Sequence, residues 1–462
     1  MEKRKRSLAI DILNGPMWDK ILRYALPVAA TGILGQLFNA SDIAIVGNFA
    51  EGDTVAAVAA VGANGPVIGL LLNIFIGIAL GANVVIANAI GRGDKETVSR
   101  AVHTSIVAAV LGGIIVGLLG QLLAEPVLSM LQVPEDVFPL ALKYMRIYLL
   151  GLPVIFLYNF EAAIFRSAGD TKTPLVALAL SGVLNVILNL FFVVVLNKTV
   201  DGVAIATVLA NVVSSVVLLR RLLRSELFIH VEFKNLRIDW KILWRILKIG
   251  VPAGIQGAVF SLSNIVVQSA INSLGKVTMA ASSAAFNVEI MAYYILNSFG
   301  QACTTFVGQN YGAGQIDRCR KALKLCLIES VIATACAVAI ALASGKYLIA
   351  LFNNDPEVIR LGMVRLKFIF MSYIFSTIYD CMSGYMRGFG ISLAPALLTM
   401  LGVCGIRIAW VKFVFPTSMT FQTVMWVYPI SLGATAVLIL CAVLIYRPSR
   451  RFAGLETEEE DK

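Results

Sequence analysis

The sequence predicts an all-α polytopic membrane protein, twelve transmembrane helices in two parallel-repeat six-helix lobes. Three observations carry that expectation. Of the 462 residues, 58% are hydrophobic and 14% charged, where ~25% charged is ordinary for a soluble domain. Twelve apolar segments follow one another, and a bilayer span needs only ~20 residues. The second half also repeats the first. Pro27, Gly32 and Asn39 recur as Pro252, Gly257 and Asn264 at a spacing of 225, and Gly52, Asn64 and Gly77 as Gly275, Asn287 and Gly300 at 223. Gly91, Gly93, Arg166, Gly169 and Pro174 recur as Gly312, Gly314, Arg387, Gly390 and Pro395 at 221. A slow drift of this kind is what small insertions in the connections produce.

In chain order, residues 1–20 form a basic start that runs into a short amphipathic piece carrying Trp18. No short apolar core with a small-residue cleavage site follows, so this reads as a cytoplasmic and interfacial segment with Trp18 at headgroup depth. The first lobe, 21–222, holds apolar segments at 22–49, 54–88, 100–124, 138–166, 174–196 and 201–222. The longest connection, 223–241, is the linker between lobes. The second lobe, 242–446, holds segments at 242–272, 277–309, 321–344, 357–387, 393–415 and 424–446, and 447–462 is a tail. Several segments exceed the required length, so tilt or extension past the bilayer is expected. Pro27, Pro66, Pro153, Pro252 and Pro429 lie inside segments, where each removes a helix hydrogen bond and can bend the helix.

Charge sets the orientation. One series of connections holds MEKRKR, Arg92, Lys95, Arg100, Arg166, Lys172, the run from Arg220 to Lys248, Arg318, Arg320, Lys321, Lys324, Arg387, Arg447, Arg450 and Arg451. The alternate series, from AEGD to PTSMTFQT, carries Lys198 and Lys276 alone. The positive-inside rule therefore places both termini in the cytoplasm of a cell-membrane protein. Six helices per half return the chain to one side, so the repeats are parallel. The net charge of +10 is thus a topology signal and not a nucleic-acid-binding face. Seven cysteines without a CxxC pair and two histidines, His103 and His230, give no metal or cofactor motif and no clustered catalytic residues. Without GxxxxGK[ST] there is no nucleotide site either. The chain reads as a non-enzyme.

The polar residues inside segments carry the functional signal. The stretch Ala25–Phe49 contains Gln36, Asn39 and Asp42, and an intramembrane Asp costs about 2.5–3.5 kcal/mol on insertion scales. The repeat counterpart of Asp42 is Val267, so the scaffold does without the acid in its other copy. In the fifth segment Asn185 and Asn189 are four apart and stack on one face; Thr207 and Asn211 do the same in the sixth. Asp42, Asn185, Asn189 and Thr207 are expected to converge on one hydrophilic pocket, where a carboxylate with amide and hydroxyl oxygens suits a proton or a weakly held Na⁺. The alternative for the neutral residues is interhelical hydrogen bonding worth about 0.6 kcal/mol each.

In the eighth segment, Asn287, Glu289, Tyr293, Tyr294 and Asn297 form a mixed polar and aromatic face able to hold an apolar cation by stacking and cation–π contact. Asp380 with Arg387, and Glu161 with Arg166, are expected to be structural ion pairs. Arg407 is too deep to snorkel, so a carboxylate partner is expected, Asp380 or Glu289.

The series ALPVAATGILGQLFNASDIAIVG, AIGRGD, FRSAGDTKTP and NVILN, echoed by GVP, GQNYGAG and MRGFG, resembles the multidrug and toxic compound extrusion (MATE) transporters across about Leu13 to Tyr446. The resemblance implies a twelve-helix, two-lobed exporter of cationic amphiphilic drugs or metabolites, driven by H⁺ or Na⁺ and working by alternating access. It is expected to act as a monomer among membrane lipids, with small molecules and not nucleic acid as partners. Asp42 looks like the first-helix carboxylate of prokaryotic members, Asn185 like the amide of the fifth helix and Thr207 like the hydroxyl of the sixth. Asn189 departs, because several members have a carboxylate there. The second-lobe acids of another branch are not matched: Gln256 sits near the first place and Asp380 lies further along its helix. Gln36, Asn39, Gln256, Asn264, Asn287, Glu289, Tyr293, Asp380 and Arg407 are the candidate substrate-binding residues. A lipid-linked precursor flippase of the same superfamily is the competing reading; it calls for a strongly cationic cavity, and Arg407 is the deep arginine the sequence offers.

Overall fold

The structure, a computed structural model, describes residues 9–50, 53–225 and 228–451. The basic start 1–8, Gly52 of the repeat and the tail from 452 onward lie outside the described residues. Every regular element within them is a helix. The first lobe comprises α1 (Trp18–Phe49), α2 (Thr54–Gly91), α3 (Lys95–Met130), α4 (Phe138–Leu150 and Leu152–Ser167), α5 (Lys172–Val195) and α6 (Val200–Leu223). The second comprises α7 (Trp240–Asn272), α8 (Lys276–Gly312), α9 (Ile316–Ala350), α10 (Pro356–Gly388), α11 (Leu393–Thr417) and α12 (Phe421–Arg451).

Nine of these helices are long and apolar enough to span on their own, and α4 makes a tenth once its two parts, bent by 51° at Gly151–Pro153, are joined. The bend has a stated cause, since Pro153 lacks the N–H a straight helix would need there. The remaining two, α8 and α10, are diluted by polar side chains such as Asn287, Glu289, Asn297 and Gln301 in the one and Arg365 and Asp380 in the other. Polarity of this kind is affordable in a span only where it faces protein or a cavity.

The chain divides into two compact units: Met1–Ile10, Ala30–Ile86 and Asp94–Gly250 in the first, Asp11–Ala29, Ala87–Gly93 and Val251–Lys462 in the second. The division falls inside α1 just beyond Pro27 and inside α7 just before Pro252, a matched pair of the repeat. In the first unit, α3 packs on α4, and α5 on α6. In the second, α8 is held between α9 and α10, and α12 lies on α10. The apolar core there runs through Ala285, Leu296, Leu366, Phe370 and Tyr428.

The repeated loop motifs have a physical role. Gly93 and Gly314 turn the chain at φ 69° and 71°, and Gly169 and Gly390 at 84° and 82°, a left-handed backbone that favours glycine. Gly91 and Gly312 serve close approach within the second unit. A Cβ on Gly91 would overlap the carbonyl of Gln309, and a Cβ on Gly312 that of Asn88. Gln309 and Asn88 are themselves repeat partners, so the contact is reciprocal.

The start of the chain and the linker are both tied to the helices. The residues before α1 do not all lie at an interface: Ile12 and Met17 are buried, and Arg318 donates to the carbonyls of Ile12 and Gly15 at 3.0 and 3.1 Å. Trp18 itself is exposed. The linker is also anchored. The Glu232 N–H donates to His103 Nε2 at 3.0 Å, the Asp239 N–H to Thr104 Oγ1 at 3.0 Å, and Arg100 pairs with Asp239 at 3.2 Å. Several basic residues in or beside the spans pair with acids. Lys143 and Lys198 pair with Asp201, Arg146 with Glu125 and Arg360 with Glu357.

Candidate functional site

The fifth helix is set in place by the motif that precedes it. Asp170 accepts the N–H groups of Lys172 and Thr173 at 3.1 and 3.0 Å and the Thr173 hydroxyl at 2.6 Å, tying down the start of α5. About three and four turns beyond Thr173, Asn185 and Asn189 share a face. A π-helical turn, Phe191–Val195, follows them at once, a feature common at functional sites.

Asp42, Asn185, Asn189 and Thr207 do meet. Asn189 Nδ2 donates to Asp42 Oδ1 at 2.6 Å, and Thr207 Oγ1 donates to Asp42 Oδ2 at 3.1 Å. The Asn189 amide also reaches Asn185 Oδ1 at 3.2 Å, and Asn185 Nδ2 reaches Thr207 Oγ1 at 3.4 Å, closing the ring. Asp42 is 5% exposed and Asn189 fully buried. No cation among the described residues pairs with Asp42. Asn189 Oδ1 is buried with no hydrogen-bond partner, an acceptor left over inside the ring. Tyr144 and Tyr148 of α4, stacked at 6.2 Å, lie within electrostatic reach of the carboxylate. Asn39 is exposed and Gln36 half-buried, and neither joins the ring. Asn211 instead bonds the Thr207 carbonyl at 2.9 Å.

The second lobe is arranged differently from expectation. Glu289 is gripped by Arg365 through two parallel bonds, Nε to Oε2 at 3.0 Å and Nη2 to Oε1 at 2.6 Å. Arg365 Nη1 also donates to Ser282 at 2.7 Å, and Tyr373 donates to the Glu289 carbonyl at 2.8 Å. Arg365 had no place in the sequence reading. Its signal was available, because it lies ten residues past the Asp355 cap of α10 and therefore inside the span.

Arg407 has no carboxylate partner among the described residues. It donates to Asn264 Oδ1 at 2.5 Å, Ser263 Oγ at 3.2 Å and Ser431 Oγ at 3.3 Å, and lies over Phe260 and Tyr428 at 5.0 and 4.9 Å. Neutral oxygens and aromatic faces replace the expected acid. Asp380 and Arg387 form no ion pair within 4 Å: seven residues are two helical turns, ~10 Å of rise. Asp380 is hydrogen-bonded to Asn297, and Arg387 Nε donates to the Ser383 carbonyl at 3.2 Å. Glu161 likewise accepts from Ser215 at 2.9 Å, with no ion pair to Arg166. Gln256 bonds Thr399 at 3.0 Å, Asn287 caps onto its own helix at the Ser283 carbonyl, and Tyr293 lies 6.1 Å from Tyr294.

Comparison with known proteins identifies the family. The chain is 26% identical to "Probable multidrug resistance protein YoeA" of Bacillus subtilis (strain 168), over 95% of this chain and 96% of that protein. It is also 26% identical to "Probable multidrug resistance protein NorM" of Thermotoga maritima, over 84% of each. A solved structure described as the outward-facing conformation of a multidrug resistance MATE family transporter of the MOP superfamily superposes with a TM-score of 0.86 at 20% identity, covering 98% of this chain and 100% of that one. The family model described as MatE matches twice, at residues 27–191 and 252–411. Both halves thus answer to one model at the spacing of the internal repeat, and the chain belongs to the MatE family.

Proposed function

We propose that the protein extrudes cationic amphiphilic drugs or metabolites across the cell membrane in exchange for H⁺ or Na⁺. Export is supported by the relatives named for multidrug resistance. The observation that carries the coupling is the ring around Asp42, a buried carboxylate with neutral partners only. Protonation turns one carboxylate oxygen from acceptor into donor. The Thr207 hydroxyl can then rotate to accept, or the spare Asn189 Oδ1 can take the new O–H. A Na⁺ would instead find Asp42, Asn185, Asn189 and Thr207 oxygens in one shell, the hard ligands it prefers.

Either event rearranges the contacts joining α1, α5 and α6. An ion that binds one arrangement of these helices better than another shifts their populations by that difference, which is how a gradient can drive alternating access. Both termini are assigned to the cytoplasm from the loop charges, and the protein works as a monomer in lipid. The proposed substrate-binding residues are Gln36 and Asn39 in the first unit and, separately, Gln256, Asn287, Tyr293 and Asp380 in the second; Glu289 contributes less because Arg365 occupies both its oxygens.

The deciding experiment is efflux of a lipophilic cationic dye from proteoliposomes under a proton gradient alone and a Na⁺ gradient alone. Efflux under one gradient names the ion. Efflux under neither removes the antiport reading.

A further inference from the structure

We propose that Arg407 forms an oxyanion-binding subsite in the second lobe, so that the protein takes amphoteric compounds carrying a carboxylate or phosphate on an apolar or cationic body. The proposal deepens the extrusion reading and rests on it for transport, though not for binding.

The internal duplication carries the argument. It sets α7, α11 and α12 in correspondence with α1, α5 and α6, whose side chains build the Asp42 ring. The counterpart of Asp42 is Val267, so the second copy lacks the acid. Arg407 follows Ile406, which is the counterpart of Asn185, and it bonds Asn264, the counterpart of Asn39. Tyr428, at the position matching Thr207, offers its ring to the guanidinium at 4.9 Å. The same three-helix site therefore exists twice, with a buried carboxylate in one copy and a buried guanidinium in the other.

The guanidinium is held but not neutralised. Arg407 is 1% exposed. Its strongest electrostatic neighbours are Tyr428, Tyr379, Cys404 and Arg365, with no carboxylate among them. The two acids expected as its partners are engaged elsewhere, Glu289 with Arg365 and Asp380 with Asn297. Nε and Nη1 have partners on α7 and α12, while Nη2 donates to nothing among the described residues. A buried charge without a counter-charge is costly, and in a membrane protein it marks a binding role by default. Arginine also presents its donors in the fork that matches a carboxylate or phosphate. Two π-helical turns, Met400–Gly405 and Trp410–Val414, flank it and set its direction off the regular helical face. A purely structural tie between α7, α11 and α12 is the competing role.

The test uses the purified full chain in detergent and two dyes, rhodamine B with a free carboxylate and its ethyl ester. Binding is read by fluorescence anisotropy, with benzoate, phenyl phosphate and neutral benzyl alcohol as competitors. The expected result is that Arg407→Gln weakens rhodamine B binding about tenfold or more, the loss of a charge-assisted pair, and leaves the ester's affinity where it was. Arg407→Lys should retain most of the affinity. Benzoate or phenyl phosphate should displace rhodamine B from the wild type, benzyl alcohol should not, and the stronger competitor names the oxyanion. Equal loss for both dyes, or no displacement by either anion, overturns the subsite and leaves the structural tie. If Arg407→Gln fails to fold, competition on the wild type and the lysine variant decides alone. Because binding needs no gradient, bound dye without efflux counts against the extrusion reading and not against the subsite.

Discussion

Asn189 donates to Asp42 at 2.6 Å and so joins α5 to α1 across 147 positions of sequence. The bond goes to a charged acceptor, and such bonds are roughly twice as strong as neutral ones. Asp42→Asn keeps the size of the side chain and can keep a bond to Thr207, but it removes the titrating group. The variant should reach the membrane at wild-type level, melt close to wild type, and show dye efflux at background under either gradient. Efflux at the wild-type rate with unchanged ion dependence would falsify the coupling role.

The neutral members of the ring should tune this role without abolishing it. Thr207→Val and Asn189→Ala each remove a donor to the carboxylate, worth about 1.5–3 kcal/mol for a bond to a charged group. Asp42 then holds a proton more readily, so the pH at which half-maximal efflux occurs should move upward in both variants. A downward move, or none, would show that these donors do not act on the carboxylate.

Glu289 and Arg365 make the opposite kind of prediction, one about stability. Breaking a buried pair from one side leaves an uncompensated charge and costs about 3–5 kcal/mol. Glu289→Gln and Arg365→Met should each lower the melting temperature in detergent sharply. The double variant should recover most of the loss. A double variant no more stable than the worse single one would mean the two residues act separately.

The glycine contact between the loop motifs is testable in the same assay. Gly312→Val places a side chain against the Asn88 carbonyl, where backbone has to move. Overpacking typically costs 1–3 kcal/mol. Gly62→Ala, with nothing within 4 Å of the added carbon, should instead be neutral or stabilising by about 0.5–1 kcal/mol. Similar melting temperatures for the two variants would contradict the close approach.

Much of this was legible in the chain. Spans, repeat and family follow from apolar length and spaced glycines, which are one-dimensional signals. The Asp42 ring was legible too, because its members are polar residues at helical spacing inside otherwise apolar segments. The second lobe was harder for a physical reason. Partners of a buried arginine are set by which helices pack, and neutral Asn264, Ser263 and Ser431 satisfy Arg407 where a charge count demanded an acid. The depth of Arg365 in α10 is legible in the chain, but its partner Glu289 lies on α8 and is set by packing.

Orientation is the last expectation to be tested. The basic connections lead us to expect the linker and both termini in the cytoplasm, and several of the basic residues that depart from the pattern are paired with acids. Lys143 and Lys198 share Asp201 at 2.9 and 3.4 Å, and Arg360 reaches Glu357 at 2.5 Å. Pairing reduces their cost of lying on the outer side and offsets part of their positive charge there. In a background with the seven native cysteines replaced, a single cysteine at Thr199, in the connection between α5 and α6, should react with an impermeant maleimide applied to whole cells. One at Asn235, exposed on the linker, should react only after the cells are opened. Labelling of both sites from outside would mean an even number of spans between them in one population or two orientations in the membrane. The reverse pattern would invert the molecule and, with it, the direction in which Asp42 delivers its ion.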